Sequence, residues 1–102
     1  MTTRLWRGWA ARENADAYEH FLVSESLPSM RDIPGFRSAE VLRRDDGGEV
    51  AFVILTRVES IDAIRAFAGE DHEVAVIEPT ARALLSHFEE RARHYSTSSF
   101  PA

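Results

Sequence analysis

Six consecutive apolar residues, Val50-Ala51-Phe52-Val53-Ile54-Leu55, follow almost directly on the turn-forming stretch Asp45-Asp46-Gly47-Gly48. The run has no polar alternation, so a strand built from it needs cover on both faces. Asp-Gly and Gly-Gly tolerate the positive φ values of tight hairpin turns. Phe36–Arg44 and Glu49–Val58 are therefore predicted as the two antiparallel strands of a hairpin. In a chain of 102 residues, helices can cover one face of a small sheet and little is left for the other. A second copy packed sheet against sheet would supply the cover, burying on the order of 1,000 Å² or more. A homodimer is the expectation; the plain alternative is a tail or loop lying over half the run.

The remaining segments fall around that hairpin. Thr3–Ala10 reads as a strand with Leu5, Arg7 and Trp9 on one face and Arg4, Trp6 and Gly8 on the other. Large side chains on both faces argue that neither is open to water. Glu13–Met30 carries a helical pattern in which Ala17, Phe21 and Val23/Ser24 lie near one stripe, with Tyr18 and Leu22 beside it. Asn14 is placed to cap that helix, Leu27-Pro28 to loosen it, and Ile33-Pro34-Gly35 to break it. Ser60 can cap a second helix, Ile61–Ala68, which buries Ile61, Ile64 and Phe67 and ends at Gly69. Glu70–Ile77 reads as irregular or extended. Pro79 opens a third helix through Leu85, and His87–Ser96 is a last strand. The order β-α-β-β-α-(α)-β is the split βαβ pattern of an α+β, ferredoxin-like antiparallel sheet with helices on one face. One domain spanning residues 1–102 accommodates all of it.

The formal net charge is −5, and the twelve basic side chains are all Arg. An acidic balance opposes nucleic acid and anionic membrane as partners, because phosphate binding needs a basic face. The absence of cysteine removes disulfides, thiolate nucleophiles, cysteine–zinc sites and iron–sulfur clusters. Val50–Leu55 is far too short to span a bilayer, and Met1–Trp9 is too short and polar for a secretory leader. Cytoplasmic residence is the expectation. His87 and His94 flank Glu89 and Glu90, but an extended strand would spread these groups, so no metal site is expected. No phosphate loop, nucleophile elbow or catalytic triad can be read.

Several stretches carry a resemblance over most of the chain. They are Arg4-Leu5-Trp6-Arg7-Gly8, Tyr18 through Leu22, Pro34-Gly35-Phe36-Arg37, Val41 through Arg44, Glu59 through Gly69, Ala75-Val76-Ile77 and His94-Tyr95. Together they resemble the antibiotic biosynthesis monooxygenase superfamily, in particular its small uncharacterised bacterial members. The resemblance implies a dimeric α/β barrel with a pocket between the sheet and helices of each subunit. It also implies one of three functions: cofactor-free oxidation of a small aromatic or polycyclic compound, haem binding and degradation, or non-catalytic small-molecule binding. The haem degraders use a histidine with an Asn and a Trp. Here the first strand holds no Asn, and the position before Glu59-Ser60, often Trp in the family, is Val58. The expected cofactor is therefore none, with haem as the alternative.

Within that frame the candidate catalytic residues are His72, Tyr18 and Tyr95, and the candidate substrate-binding residues are Trp6 and Arg43. His72 lies in Glu70-Asp71-His72-Glu73, where it could act as a general base or, if neutral, as a haem ligand; it could equally be an exposed loop histidine. Trp6, Tyr18 and Tyr95 could stack on a planar aromatic and hydrogen-bond it, or simply pack. Arg43 could hold a phenolate or carboxylate bidentately, or pair with Glu40 or Glu49 across the hairpin.

Overall fold

The computed structural model describes residues 1–101. The predicted hairpin forms as β2 (Phe36–Asp46) and β3 (Glu49–Val58), and Asp46 pairs with Glu49 around a two-residue loop. Gly47 takes φ +65 at the first loop position, a conformation that glycine enters without a Cβ penalty. The first strand, β1 (Thr2–Ala11), lies antiparallel to β3 along its whole length, from Thr2 opposite Val58 to Ala11 opposite Glu49. Its other edge is shared by two short strands, β4 (Leu85–Phe88) against Gly8–Ala10 and β5 (Arg93–Ser96) against Thr2–Leu5. The sheet order is β2-β3-β1-β4, with β5 also on β1. This is a ferredoxin-like antiparallel sheet with its helices on one face.

The predicted last strand, His87–Ser96, is thus two strands interrupted at 89–92. The interruption has a local cause. The Trp6 indole N–H donates to Glu89 O at 2.6 Å, and Glu89 N–H donates to Arg7 O. An indole buried in a core seeks a partner for its one donor, and the break supplies a carbonyl outside the ladder.

Three helices cover the sheet: α1 (Arg12–Phe21), α2 (Ile61–Ala68) and α3 (Pro79–Leu84). The buried face of α1 is Ala15, Tyr18 and Phe21, continued by Leu22. The stripe expected from Ala17 and Val23/Ser24 is wrong, since all three are exposed. The Asn14 cap is also wrong: Ala11 holds the cap position, and the Asn14 amide donates to Leu84 O on α3. Ser60 does stand at the start of α2, but its hydroxyl makes no capping bond. Gly69 ends α2 with φ +90, which suits a residue without a side chain.

The long first helix of the sequence reading is shorter than expected. After Phe21 the chain widens into a π turn, Leu22–Ser26, and then tightens into a 3₁₀ turn, Pro28–Asp32. Leu27 N–H reaches back to Leu22 O at 2.8 Å, the i→i−5 spacing of a π turn. Proline lacks an N–H and so cannot extend the α ladder; the loosening begins at Leu22, six residues earlier than Pro28, and leaves Leu27 itself helical.

Along β3 burial alternates strictly. Val50, Phe52, Ile54, Thr56 and Val58 are buried beneath the helices, while Ala51, Val53, Leu55 and Arg57 are only partly covered. On β1 the inward residues are Arg4, Trp6, Gly8 and Ala10. Gly8 is required where it stands: a Cβ there would lie 2.8 Å from Trp6 Cη2 and 3.3 Å from Leu85 Cδ2. The six-membered ring of the indole crowds this position, and the same side chain lines a cavity.

Candidate functional site

Between the inner sheet face and the π and 3₁₀ turns lies a cavity of about 220 Å³. Its floor is Arg4 and Trp6 of β1 with Ile54 and Thr56 of β3. Tyr18, Phe21, Leu22, Leu27 and Met30 form the roof, and Phe67, Val76, Ile77 and Ala81 close the sides. Broken helix geometry often accompanies binding sites, and here the widened turn sets Leu22, Ser26 and Leu27 on the cavity wall. The wall is largely apolar. Its polar groups are Arg4, Thr56, Tyr18, Ser26, Ser29 and Glu78, with Glu78 exposed at the mouth and accepting from Ser26 Oγ.

Tyr18 is 1% exposed and meets Phe52 edge-on at 4.9 Å between ring centroids. Burial pushes its phenol pKa well above the usual value, so the hydroxyl stays protonated and can donate a hydrogen bond but cannot serve as a base near neutrality. No partner for that hydroxyl is present among the described residues.

Arg4 was not singled out from the sequence, yet it is the most unusual group at the site. It is 5% exposed. Nη1 donates to His72 O and to His94 Nε2 (3.0 Å), Nη2 donates to Val74 O (2.9 Å), and the guanidinium sits 5.3 Å from the Phe67 ring centroid. The contact with His94 follows from register, because Arg4 and His94 are cross-strand partners of β1 and β5. Burial lowers the Arg4 pKa to about 10, with Glu73 acting in the opposite direction; the group remains charged near neutrality. The available signal was alternation: a strand that turns Trp6 inward turns Arg4 inward too.

His72 and His94, twenty-two positions apart in sequence, come together with ring centroids 5.1 Å apart, and each has an enclosed Nδ1 without a hydrogen-bond partner. With Glu73 they offer ligand atoms all within 4.8 Å of one another. Two facts oppose a cation there. Arg4 adds positive charge, and because a guanidinium only donates, His94 Nε2 must accept, which leaves the proton on Nδ1. The His94 pKa is lowered to about 4 by burial first, then by Arg4 and His72, with Glu73 opposing.

That shift carries a stability prediction. Between pH 6.5 and 4 the unfolded chain binds a proton at His94 that the folded protein does not. Stability is therefore present above pH 6.5 and lost as pH falls toward 4. A loss of about 1–2 kcal/mol is expected from this ring, after allowing for the solvent that reaches it. Urea unfolding of the His94→Gln protein across this range should show a flatter dependence than wild type. Parallel curves would remove His94 as the cause.

The other sequence candidates are dispersed. Trp6 and Tyr18 both lie on the cavity wall, whereas His72 is not part of it and stands behind Arg4. Tyr95 is 49% exposed on the outer sheet face, opposite Thr3. Arg43 pairs with Asp16 and Glu19 of α1, not with Glu40 or Glu49, and its guanidinium lies 5.4 Å from the Phe52 ring centroid. Glu40 pairs instead with Arg57, and Glu49 with His87. Among the described residues, no helix is long and apolar enough to cross a membrane.

Solved structures of similar fold include Rv0793 from Mycobacterium tuberculosis, 20% identical with a TM-score of 0.60 and both chains fully covered. A second is the haem degrader MhuD from the same organism, with two haems bound in its active site. It is 16% identical with a TM-score of 0.63, again over the whole of both chains. A third, assigned to the antibiotic biosynthesis monooxygenases of Chloroflexus aurantiacus, is 16% identical with a TM-score of 0.61 over 99% of this chain and 96% of that one. No curated protein matches the sequence. At these identities the structures establish the fold and leave the chemistry open.

Haem does not fit the residues of this cavity. Its wall holds no histidine, and the chain's one Asn, Asn14, is engaged at Leu84 O. The volume, about 220 Å³, also falls below the roughly 300–1,000 Å³ of sites for drug-sized ligands. Residues 7–79 match the family model for antibiotic biosynthesis monooxygenase, well over half the chain, and the protein belongs to that family.

Proposed function

We propose that the protein is a homodimeric monooxygenase-like enzyme that takes a small, planar, mainly apolar compound into the cavity under the π turn. The observation that carries this reading is the largely apolar wall containing both Trp6 and Tyr18. In a cofactor-free oxidation the substrate supplies the electrons, one oxygen atom enters it and the other leaves as water. The protein's part is to hold the substrate dry, to stack it against an indole, and to hydrogen-bond it from a phenol that stays neutral. Trp6 and Tyr18 are the residues assigned to those two tasks. His72 is assigned to hold the position of Arg4 from behind, since its backbone carbonyl accepts from that side chain. We leave Tyr95 and Arg43 out of the site because of where their side chains lie.

The test is binding of a panel of one- and two-ring aromatics, read by quenching of tryptophan fluorescence, followed by oxygen uptake and product analysis for each binder. Met30→Trp, which fills the roof, should weaken binding at least about tenfold, a change of about 1.4 kcal/mol, with thermal stability kept. Tyr18→Phe should lower turnover more than binding. Wild-type binding and turnover in both variants would sink the assignment.

A second reading, binding without catalysis, is favoured by one observation. Among the described residues the one carboxylate on the wall, Glu78, is exposed at the mouth, and none of them is poised inside to take a proton near neutrality. A tight binder left unchanged under oxygen would select it.

A further inference from the structure

We propose that the cavity's ligand is an organic monoanion, a carboxylate, enolate or phenolate on a small planar body, and that Arg4 binds its charge. The inference rests on the cavity being a small-molecule site and adds the class of molecule.

The argument begins with an imbalance. A buried charge is normally paired, because removing an ion from water costs far more than hydrogen bonds to neutral groups return. Seven other arginines in this chain have carboxylate partners: Arg7, Arg37, Arg43, Arg57, Arg65, Arg91 and Arg93. All of those keep between 31 and 56% of the side chain open to water. Arg4 is buried and lacks such a partner among the described residues, although the chain has 17 acidic side chains. Its three acceptors are two peptide carbonyls and a neutral imidazole. Glu73 is close enough to act on it through space but does not pair with it, being drawn instead to Arg91 at 3.1 Å.

The second observation concerns unused donors. A guanidinium carries five N–H groups. Nη1 commits both of its own, to His72 O and His94, and Nη2 commits one, to Val74 O. Nε–H and one N–H of Nη2 remain, on neighbouring nitrogens of the planar fork. Such a pair suits a carboxylate or a two-oxygen enolate. Arg7 uses this same pair of nitrogens on Glu89, at 3.0 and 2.8 Å.

The surroundings complete the case. Arg4 lies on the cavity wall with the Tyr18 and Thr56 side chains, and among the described residues the only wall carboxylate, Glu78, is bonded to Ser26 at the mouth. An anion entering here meets one buried cation on a largely apolar wall, where the attraction is less screened than at the surface. The role that the sequence reading gave to Arg43 therefore falls to Arg4.

The test uses two probes of one shape, 2-naphthoate and 2-naphthamide, titrated into the full chain at pH 7. Wild type should bind the carboxylate at least about tenfold more tightly than the amide. In Arg4→Met that preference should vanish while amide affinity stays within about threefold. Arg4→Lys, which keeps the charge but loses the fork, should retain part of it. If wild type binds both probes equally, the anion assignment fails and the cavity reading stands. If neither probe binds, the cavity reading fails and takes this one with it. Because the wild-type ratio needs no variant, the outcome holds even where Arg4→Met does not fold.

Discussion

Phe52→Ala is expected to destabilise the protein by about 3–5 kcal/mol, the range for truncating a buried Phe. Phe52 is 0% exposed at the middle of β3. Its ring takes the edge-on contact of Tyr18 on one side and the guanidinium of Arg43 on the other. Losing it removes the transfer free energy of the ring and leaves a void that the flanking strands cannot close. The adjoining side of β1 is Gly8 opposite Phe52, which has nothing to move in. A small domain holds about 5–15 kcal/mol in all, so the melting temperature should fall by about 15–30 °C. The contrast is Val23→Ala. Val23 is 54% exposed beyond the end of α1, and its truncation should change stability by no more than about 0.5 kcal/mol. Thermal and urea unfolding of both proteins decide the matter. A loss at Phe52→Ala below about 1 kcal/mol would mean that the inner face of β3 has been misassigned.

That contrast also marks where sequence reading succeeds. The hairpin was legible because its information is local: the glycines of the turn and the apolar run lie next to each other. The second helix was legible for the same reason, with its boundaries at Ser60 and Gly69. The first helix was read too long because a π turn inserts a residue after Phe21 and rotates Val23 and Ser24 outward; Ala17, ahead of that turn, was misplaced because the buried stripe runs through Ala15 and Tyr18 beside it. Nothing in Leu22–Ser26 announces such a turn, since its cost is offset by packing over the cavity. The last strand was read as continuous because its break answers a single indole N–H more than eighty residues away.

The site was less legible than the fold. Trp6 and Tyr18 could be named because aromatic residues on buried stripes are few. Arg4 could not, because its meaning comes from three acceptors that lie 68, 70 and 90 positions along the chain. The pairing of His72 with His94 is likewise a consequence of β5 lying beside β1, and no spacing rule predicts it. Arg43 drew attention as a strand arginine able to hold a phenolate or carboxylate bidentately. Its strand position brings it to Asp16 and Glu19, where it ties the hairpin to α1.

The outer face of the sheet gives the second large effect. Leu5 and Trp9 of β1, Val53 and Leu55 of β3, and Leu42 of β2 all point away from the helices, and Tyr95 of β5 borders them. Leu42 and Tyr95 remain about half exposed. Apolar side chains interspersed with the ion pairs Arg57–Glu40 and Arg7–Glu89, Arg7 standing directly opposite Val53, match the mixed composition of interfaces between proteins. The proposed homodimer covers it. Light scattering is expected to give twice the monomer mass for wild type. Val53→Asp should convert it to monomer, raising the dissociation constant by a factor of at least about 1,000, or about 4 kcal/mol. The cost is large because each copy would bury a further carboxylate opposite Arg7, whose guanidinium already pairs with Glu89, and in a symmetric sheet-on-sheet contact the two would face one surface. Since Val53 points away from the cavity, the monomeric variant that stays folded should keep its preference for 2-naphthoate over 2-naphthamide. A monomeric wild type would overturn the dimer. A Val53→Asp protein that loses the probe while keeping its fold would show instead that the cavity is completed only when two copies meet.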